Sequence, residues 1–267
     1  MSVAGSACAT RGHLRENSGD VERRGDYGYD APYALLTFAA LGAASVVAAI
    51  AAWWIGRGPS APLAAYGVFF LANAASFLYT TRRGKFRVWD EILDGLHLAG
   101  GEQVLDMGCG RGAVLTAAAR RLTTGRVTGV DLWSRHDQSG NSRDTTLRNA
   151  ALEGVADRVE IQTGDMRALP FPDASFDVVL SSLAIHNIRS NDDRARAVTE
   201  AWRVLKPGGR LAIADIRASA HYANTLRAGG ANGVARRRLG WRFWYGNPFA
   251  GTSLVTASKH SDLNRHA

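Results

Sequence analysis

The chain has 267 residues, 46% hydrophobic and 21% charged, which suffices for one medium-sized catalytic domain plus a smaller unit and excludes a globally disordered chain. A formal charge of +8 leaves three settings open: nucleic acid, an anionic membrane surface, or the ordinary arginine bias of a membrane protein. Two cysteines, Cys8 and Cys109, with no Cys/His spacing of zinc type, exclude a disulfide scaffold and imply no metal. Cys109 lies between two glycines, where a small residue is expected for fit more than for reactivity.

Residues 1–30 mix Arg, Glu, Asp, Gly and Ser without periodicity, and are expected to form a mobile cytosolic tail. The apolar core of a signal peptide does not occur near the start. From Ala34 to Ile55 no charged residue appears, and as a helix this run would extend roughly 33 Å, enough to cross a hydrocarbon core. Trp53 and Trp54 stand at its interfacial end. After the break Gly56-Arg57-Gly58-Pro59-Ser60, a second uncharged run extends from Pro62 to Thr81. Arg82, Arg83, Lys85 and Arg87 crowd its exit, Arg23 and Arg24 precede the first run, and the turn holds only Arg57. The positive-inside rule places both ends in the cytoplasm, giving a two-helix transmembrane hairpin. The alternative is a pair of buried core helices, favoured by the many alanines, Asn73 and Ser76.

From Val88 the pattern becomes that of an α/β domain. Trp89, Ile92, Leu93 and Leu96 recur at helical spacing. Strands are expected at Val104–Asp106, Arg126–Asp131, Arg158–Thr163, Phe176–Ser181 and Arg210–Ile216, alternating with helical stretches such as Asp144–Leu152 and Arg194–Leu205. Such alternation means a parallel, doubly wound sheet. Two aromatic or β-branched runs between Gly240 and Lys259, joined by Gly246-Asn247-Pro248, suggest an antiparallel hairpin at the sheet edge.

The first of these strands runs into Asp106-Met107-Gly108-Cys109-Gly110-Arg111-Gly112-Ala113 and then an alanine-rich helix. Gly108, Gly110 and Gly112 permit a sharp turn and close backbone approach, and the new helix presents unpaired amides, so the loop binds a nucleotide. Asp106 at its head would repel a phosphate and suits a cofactor with a cationic amino group, as in S-adenosylmethionine. Asp131, about twenty residues beyond the glycines, can accept from both ribose hydroxyls.

The ordered set Asp106-x-Gly108-x-Gly110-x-Gly112, Asp131, Gly164-Asp165-Met166, Leu169-Pro170-Phe171 and Leu205-Lys206-Pro207-Gly208-Gly209 resembles the class I S-adenosylmethionine-dependent methyltransferases, in the branch that contains the quinone C-methyltransferases. The resemblance covers roughly residues 88 to 260 and implies a Rossmann-like, seven-stranded sheet with an antiparallel edge strand, within a domain spanning residues 82–260 before a short tail at 261–267. It also implies that Asp106 and the glycine loop hold the methionine end, Asp131 the ribose and Leu132 one adenine face. Asp165 would accept from the adenine amino group, with the Met166 amide on the ring edge. Lys206-Pro207-Gly208-Gly209 would form the turn before the fifth strand.

Arg111 departs from the Thr or Ser usual in that family, and is expected either to pair with the cofactor carboxylate or to reach solvent. Residues 133–142 lengthen the connection after the second strand, as a substrate-facing lid or a plain surface loop. The run Ser181-Ser182-Leu183-Ala184-Ile185-His186-Asn187-Ile188 follows the fourth strand, where a doubly wound sheet opens its crevice. Ser182 is counted with the cofactor-binding residues, and His186 is the candidate base, against a plain capping role. Asp192 and Asp193 read as helix-start residues, while Tyr222, Trp241, Trp244 and Tyr245 supply aromatic surface for an apolar acceptor or for the core. The cluster Arg236, Arg237, Arg238 and Arg242 is expected to face lipid and not nucleic acid.

The reading is thus a membrane-anchored methyltransferase with a cytoplasmic catalytic domain, S-adenosylmethionine as cofactor, and a small lipophilic acceptor such as a quinone-like ring, a lipid or a secondary metabolite. The alternatives are a nicotinamide-dependent oxidoreductase, which lacks a Tyr-x-x-x-Lys site here, and a non-catalytic cofactor-binding membrane adaptor.

Overall fold

In the computed structural model, which describes residues 23–56, 58–134 and 138–260, two apolar helices open the chain: α1 (Pro32–Ile55) and α2 (Ser60–Tyr79). Proline at the first turn of α1 needs no amide partner there, and Gly56, at φ 65°, ends the helix by donating to the carbonyls of Ala52 and Trp53. The two helices pack side by side, Gly42 against Leu71 and Gly67 against Val46. Their outer faces keep Leu36, Val47, Ile50, Val68 and Phe69 exposed.

No break separates the second apolar helix from the helix that follows it. A π turn (Thr80–Gly84) carries α2 directly into α3 (Lys85–Gly95), making one continuous helix of 36 residues. The physical reason is local: Gly84, the residue best suited to stop a helix, stays right-handed at φ −60°, and no proline follows. A Cβ at Gly84 would collide with the Arg242 carbonyl, so the glycine serves close contact with the C-terminal part of the domain.

The remaining elements are β1 (Gln103–Met107), α4 (Ala113–Ala119), β2 (Arg126–Asp131), α5 (Arg143–Leu152), β3 (Val159–Thr163), β4 (Phe176–Ser182), α6 (Asn191–Val204), β5 (Leu205–Asp215), α7 (Ser219–Ala228), β6 (Asn232–Arg238) and β7 (Ser253–Ser258). They build one seven-stranded sheet in the order β3-β2-β1-β4-β5-β7-β6. Pairing is parallel from β3 through β5, and β7 runs antiparallel to both its neighbours. Two apolar layers cover the sheet, one holding Trp89, Leu93, Leu115 and Leu122, the other Ile185, Val198, Leu211 and Tyr222. The central strands are buried on both faces, which is why they read as near-continuous apolar runs.

Three local expectations need correction. The hairpin at the sheet's end pairs β7 with Asn232–Arg238, not with the aromatic run after Gly240; residues 239–252 form a long connection with short 3-10 turns at Trp241–Phe243 and Pro248–Ala250. The antiparallel strand is therefore one in from the edge, and the arginine-rich β6 is the edge itself, where its charged side chains disfavour pairing with a further strand. Lys206-Pro207-Gly208-Gly209 lies inside the range of β5 as an irregularity opposite Phe176 and Val178, with the Gly208 amide donating to the Lys259 carbonyl at 2.7 Å.

Residues 23–30 do not behave as part of a mobile tail. Arg23 pairs with Asp90 at 2.8 Å, the Gly25 amide donates to Glu153 at 3.0 Å, and Tyr27 is buried with its hydroxyl 2.8 Å from both Thr116 Oγ1 and Glu153 Oε1. Burial, foremost, pushes the Tyr27 phenol well above its usual range, so it remains a proton donor. Residues 1–22, Arg57, residues 135–137 and the tail 261–267 lie outside the described residues, and with them Cys8 and part of the loop expected as a lid.

Candidate active site

A cavity of about 810 Å³ opens at the C-terminal ends of β1, β2, β4 and β5, the topological switch point of such a sheet. Its walls bring together Asp106, Gly108, Gly110, Asp131, Leu132, Asp165, Met166, Ser182 and His186, all of them singled out from sequence. Gly112 stands behind the loop as the residue before α4, at φ 85°, and is not part of the wall.

At the head of the loop the Asp106 carboxyl is 1% exposed, and neither of its oxygens has a hydrogen-bond partner among the described residues. Burial, and secondarily the charge of Asp131, push its pKa up to about 7. A buried carboxyl with two free acceptor oxygens facing a cavity fits a cationic donor. Gly108, at φ 71°, leaves no room for a side chain, since a Cβ there would collide with that of Ala184. The thiol of Cys109 is buried, which pushes its pKa far up and makes it a packing residue and not a nucleophile.

Asp131 is held in place by three donors: the Gly110 amide to Oδ2 at 2.8 Å, and the Trp133 amide and Asn141 Nδ2 to Oδ1 at 2.6 and 3.2 Å. Asp165 is gripped by Arg167, whose Nε and Nη2 reach its oxygens at 2.6 to 3.0 Å; these bonds hold its carboxyl below the usual range. The Ser182 hydroxyl accepts from Trp89 Nε1 at 2.8 Å, which docks α3 onto the end of β4 and leaves the hydroxyl proton for another acceptor. Leu132 is 61% exposed at the rim.

Arg111 fulfils neither expectation. Its guanidinium turns away from the cavity, pairing with Asp26 at 2.7 Å and donating to the Ser139 carbonyl at 2.7 Å. It therefore clamps the 23–30 segment over the glycine loop. Gln138, on the long connection, completes this cover: its Oε1 accepts from the Arg111 amide at 3.0 Å and its Nε2 donates to Asp30 at 3.3 Å.

His186 sits in a short 3-10 turn after β4, with Nδ1 2.6 Å from Asp215 Oδ1. That approach does not meet hydrogen-bond geometry; Asp215, at the end of β5 and 1% exposed, accepts instead from the His186 amide, the Ile216 amide and the Tyr222 hydroxyl, at 3.0, 2.8 and 3.2 Å. Sequence reasoning missed Asp215. The signal existed: an acid ends the apolar run Leu211–Ala214 just as Asp106 and Asp131 end theirs. Leu183 and Ala218, which follow β4 and β5, take left-handed backbone angles of φ 54° and 57°, local strain of a kind that gathers at binding clefts. Asp192 and Asp193 do begin α6, where Ser190 caps the Asp193 amide.

The cavity also has an apolar lining, made by Tyr245 and by Ala34, Phe77, Phe86 and Trp89, the last four not anticipated from sequence, so the two apolar helices themselves reach the cavity. Of the aromatic residues weighed from sequence, Tyr245 lines the cavity, Tyr222 supports Asp215, and Trp241 is exposed and stacks on Tyr79 with ring centroids 5.2 Å apart.

Residues 105–213 match the family model described as a methyltransferase domain. The chain is 36% identical over 138 residues to the 27-O-demethylrifamycin SV methyltransferase of Amycolatopsis mediterranei, an overlap of 51% of this chain and 46% of that protein. It is 36% identical over 130 residues to the demethylmenaquinone methyltransferase of Lactiplantibacillus plantarum, covering 48% of this chain and 51% of that one. The chain thus spans about half the length of these curated relatives. Among solved structures, geranyl diphosphate methyltransferase in complex with S-adenosylmethionine superposes with a TM-score of 0.52 at 16% identity, over 65% of this chain and 85% of that one. The [4+2]-cyclase SpnF does so at 0.51 and 21%, over 64% and 82%, so the shared architecture alone does not name a reaction.

By that family match residues 105–213 are a methyltransferase domain, and the sheet that contains them has the Rossmann-like fold of the class I methyltransferases. The domain's cofactor is S-adenosylmethionine, and the two free oxygens of buried Asp106 are the feature of this structure that suits that cofactor's amino group.

Proposed function

We propose that this chain is a membrane-anchored methyltransferase acting on a small lipophilic acceptor, with His186 as the base. The observation that carries this reading is that a single cavity joins Asp106, His186 with buried Asp215 behind it, and apolar residues partly from α1 and α2. When bound, S-adenosylmethionine supplies an electrophilic methyl group for in-line displacement. Asp106 and the glycine loop would hold its amino-acid end, Asp131 its ribose, and Leu132, Asp165, Met166 and Ser182 would surround the rest.

The protein's part in such a displacement is position and proton handling. Nδ1 of His186 lies 2.6 Å from Asp215 Oδ1 but outside hydrogen-bond geometry, and a small turn of the ring would let it donate to that carboxylate and direct Nε2 at an acceptor. Nε2 would take the proton from an acceptor hydroxyl or enol as its oxygen or carbon bonds the methyl group, and Asp215 would stabilise the resulting imidazolium. Burial, and then the Asp215 charge, push the Tyr222 phenol upward, so Tyr222 stays a donor to that carboxylate.

Membrane anchoring is supported by the exposure of the apolar helices. Only 11% of the most apolar window of α1 and 22% of that in the helix Ser60–Gly95 is buried, against the near-complete burial that a pair of core helices requires. Trp53 and Trp54 are exposed together at one end of the hairpin, and Arg82 and Arg83 stand at the other.

The test is to incubate the full chain, in detergent, with radiolabelled methyl donor and a lipid extract of the source cells. Label in an organic-phase product supports the reading, and label found only in soluble metabolites or protein removes the lipophilic acceptor.

A further inference from the structure

The charged residues around the cavity fall into three groups. Asp30 is matched by Lys85, at 2.7 Å, and Asp165 and Asp193 are both matched by Arg167, at 2.6 and 3.4 Å. Asp106 and Asp131 lie at the cofactor end. Arg189 and Arg217 also line the cavity, and neither makes an ion pair or hydrogen bond within the described residues.

Their placement is not scattered. Arg189 lies three residues past His186 in the connection after β4, and Arg217 two residues past Asp215 at the end of β5. Strands β4 and β5 are parallel neighbours, so both arginines leave the sheet at the same end as the His186–Asp215 pair, and both line the cavity with His186. Two unmatched cations at the mouth of a concave, mostly apolar chamber attract an anion, and arginine presents donors in a planar fork that suits carboxylate and phosphoryl oxygens. Both are exposed, as groups that must meet an incoming ligand need to be.

We propose that Arg189 and Arg217 bind an oxyanion, a carboxylate or a phosphoryl group, carried by the methyl acceptor. This deepens the methyltransferase reading and rests on it: the acceptor is an amphiphile with its anionic group at the arginines, its apolar body against Phe77, Phe86 and Trp89, and its reacting atom at His186. The arginines are specificity-determining residues, outside the proton-transfer step itself.

The test uses the full chain in phosphatidylcholine nanodiscs and titrates hexyl phosphate, hexanoate and the uncharged hexanol by calorimetry, with and without saturating adenosylhomocysteine. The wild type should bind at least one anionic probe about tenfold or more tightly than hexanol, and the double variant R189Q/R217Q should lose that preference while binding adenosylhomocysteine with unchanged affinity. An intermediate preference is expected of Arg217→Lys, which keeps the charge and loses the fork. No preference in the wild type, or one retained in the double variant, overturns the proposal. A second arm measures binding to vesicles containing phosphatidylglycerol: a double variant that loses this binding but keeps its hexyl phosphate preference assigns the arginines to lipid head groups and also overturns it. Failure of the wild type to bind adenosylhomocysteine would count against the methyltransferase reading, and the titration without it still decides the oxyanion site.

Discussion

The Lys85 ammonium bonds both oxygens of Asp30, at 2.9 and 2.7 Å, and this pair is the point where four separated parts of the chain meet. Tyr245 Oη and Gln138 Nε2 donate to the same carboxylate at 2.8 and 3.3 Å, and Thr81 Oγ1 approaches it at 3.4 Å. Asp30 belongs to the entry segment, Thr81 and Lys85 to the continuous helix, Gln138 to the cover of the glycine loop and Tyr245 to the C-terminal connection. Burial above all, with the Asp30 charge beside it, pushes the Tyr245 phenol far up, so it remains a donor.

Replacing Asp30 by Asn would strand a buried ammonium, since the Lys85 side chain is only 6% exposed. A loss of about 3 kcal/mol is expected, read as a lowered unfolding midpoint in detergent, and the double change Asp30→Asn, Lys85→Met should recover much of it. A single variant as stable as the wild type would show that the pair is not what joins these parts.

The raised pKa of Asp106 gives cofactor binding a pH dependence with a definite sign. Below about pH 7 the carboxyl is protonated and must release its proton to meet a cationic amino group, so affinity for adenosylhomocysteine should rise roughly tenfold per unit toward pH 7 and level off above it. The unliganded protein runs the other way. A folded-state pKa above the ordinary 3.8 contributes stability that is full below that value and is lost as pH rises through about 7. Calorimetric titration across pH, with Asp106→Asn as the flat control, checks both halves.

His186→Ala should lower turnover by about 10² to 10⁴ with adenosylhomocysteine affinity unchanged. Asp215→Asn removes the carboxylate beside the imidazole, proposed to stabilise its charged form, and should cost a comparable factor, while Tyr222→Phe, which removes one donor of several to Asp215, should cost less. Equal turnover in wild type and His186→Ala would reduce the histidine to a packing residue.

Gly108→Ala combines a forbidding backbone angle, φ 71°, with a collision against Ala184. Adenosylhomocysteine binding should fall beyond detection by calorimetry while circular dichroism retains the α/β signature.

Residues whose positions are fixed by their own neighbours in sequence were legible. The glycine loop, Asp131 and the Gly164-Asp165-Met166 turn each sit at a strand's end, where alternation of strand and helix already puts them on one edge of the sheet. Arg111 was misread because its partner, Asp26, belongs to a segment whose polar composition suggested a tail; what orders it is tertiary, the burial of Tyr27 and its bonds to Thr116 and Glu153. The hairpin arm was misplaced because the aromatics after Gly240 satisfy β propensity, yet Phe243 and Tyr245 bury themselves against the core from 3-10 and irregular backbone instead. Tyr245 and Asp30, which meet in the cavity wall, are 215 positions apart, a separation across which no local pattern carries information.

The unbroken helix from Ser60 to Gly95 makes a rod about 54 Å long, whose first part is apolar enough for lipid and whose last part carries Phe86 and Trp89 into the wall of the cavity. Its departure from α geometry is the π turn at Thr80–Gly84, and the helix runs on through it without a break. If the proposed anchoring holds, a lean of its apolar part to match a thinner or thicker bilayer would arrive as a displacement of Trp89 and of its bond to Ser182, and would link the chamber's shape to bilayer thickness.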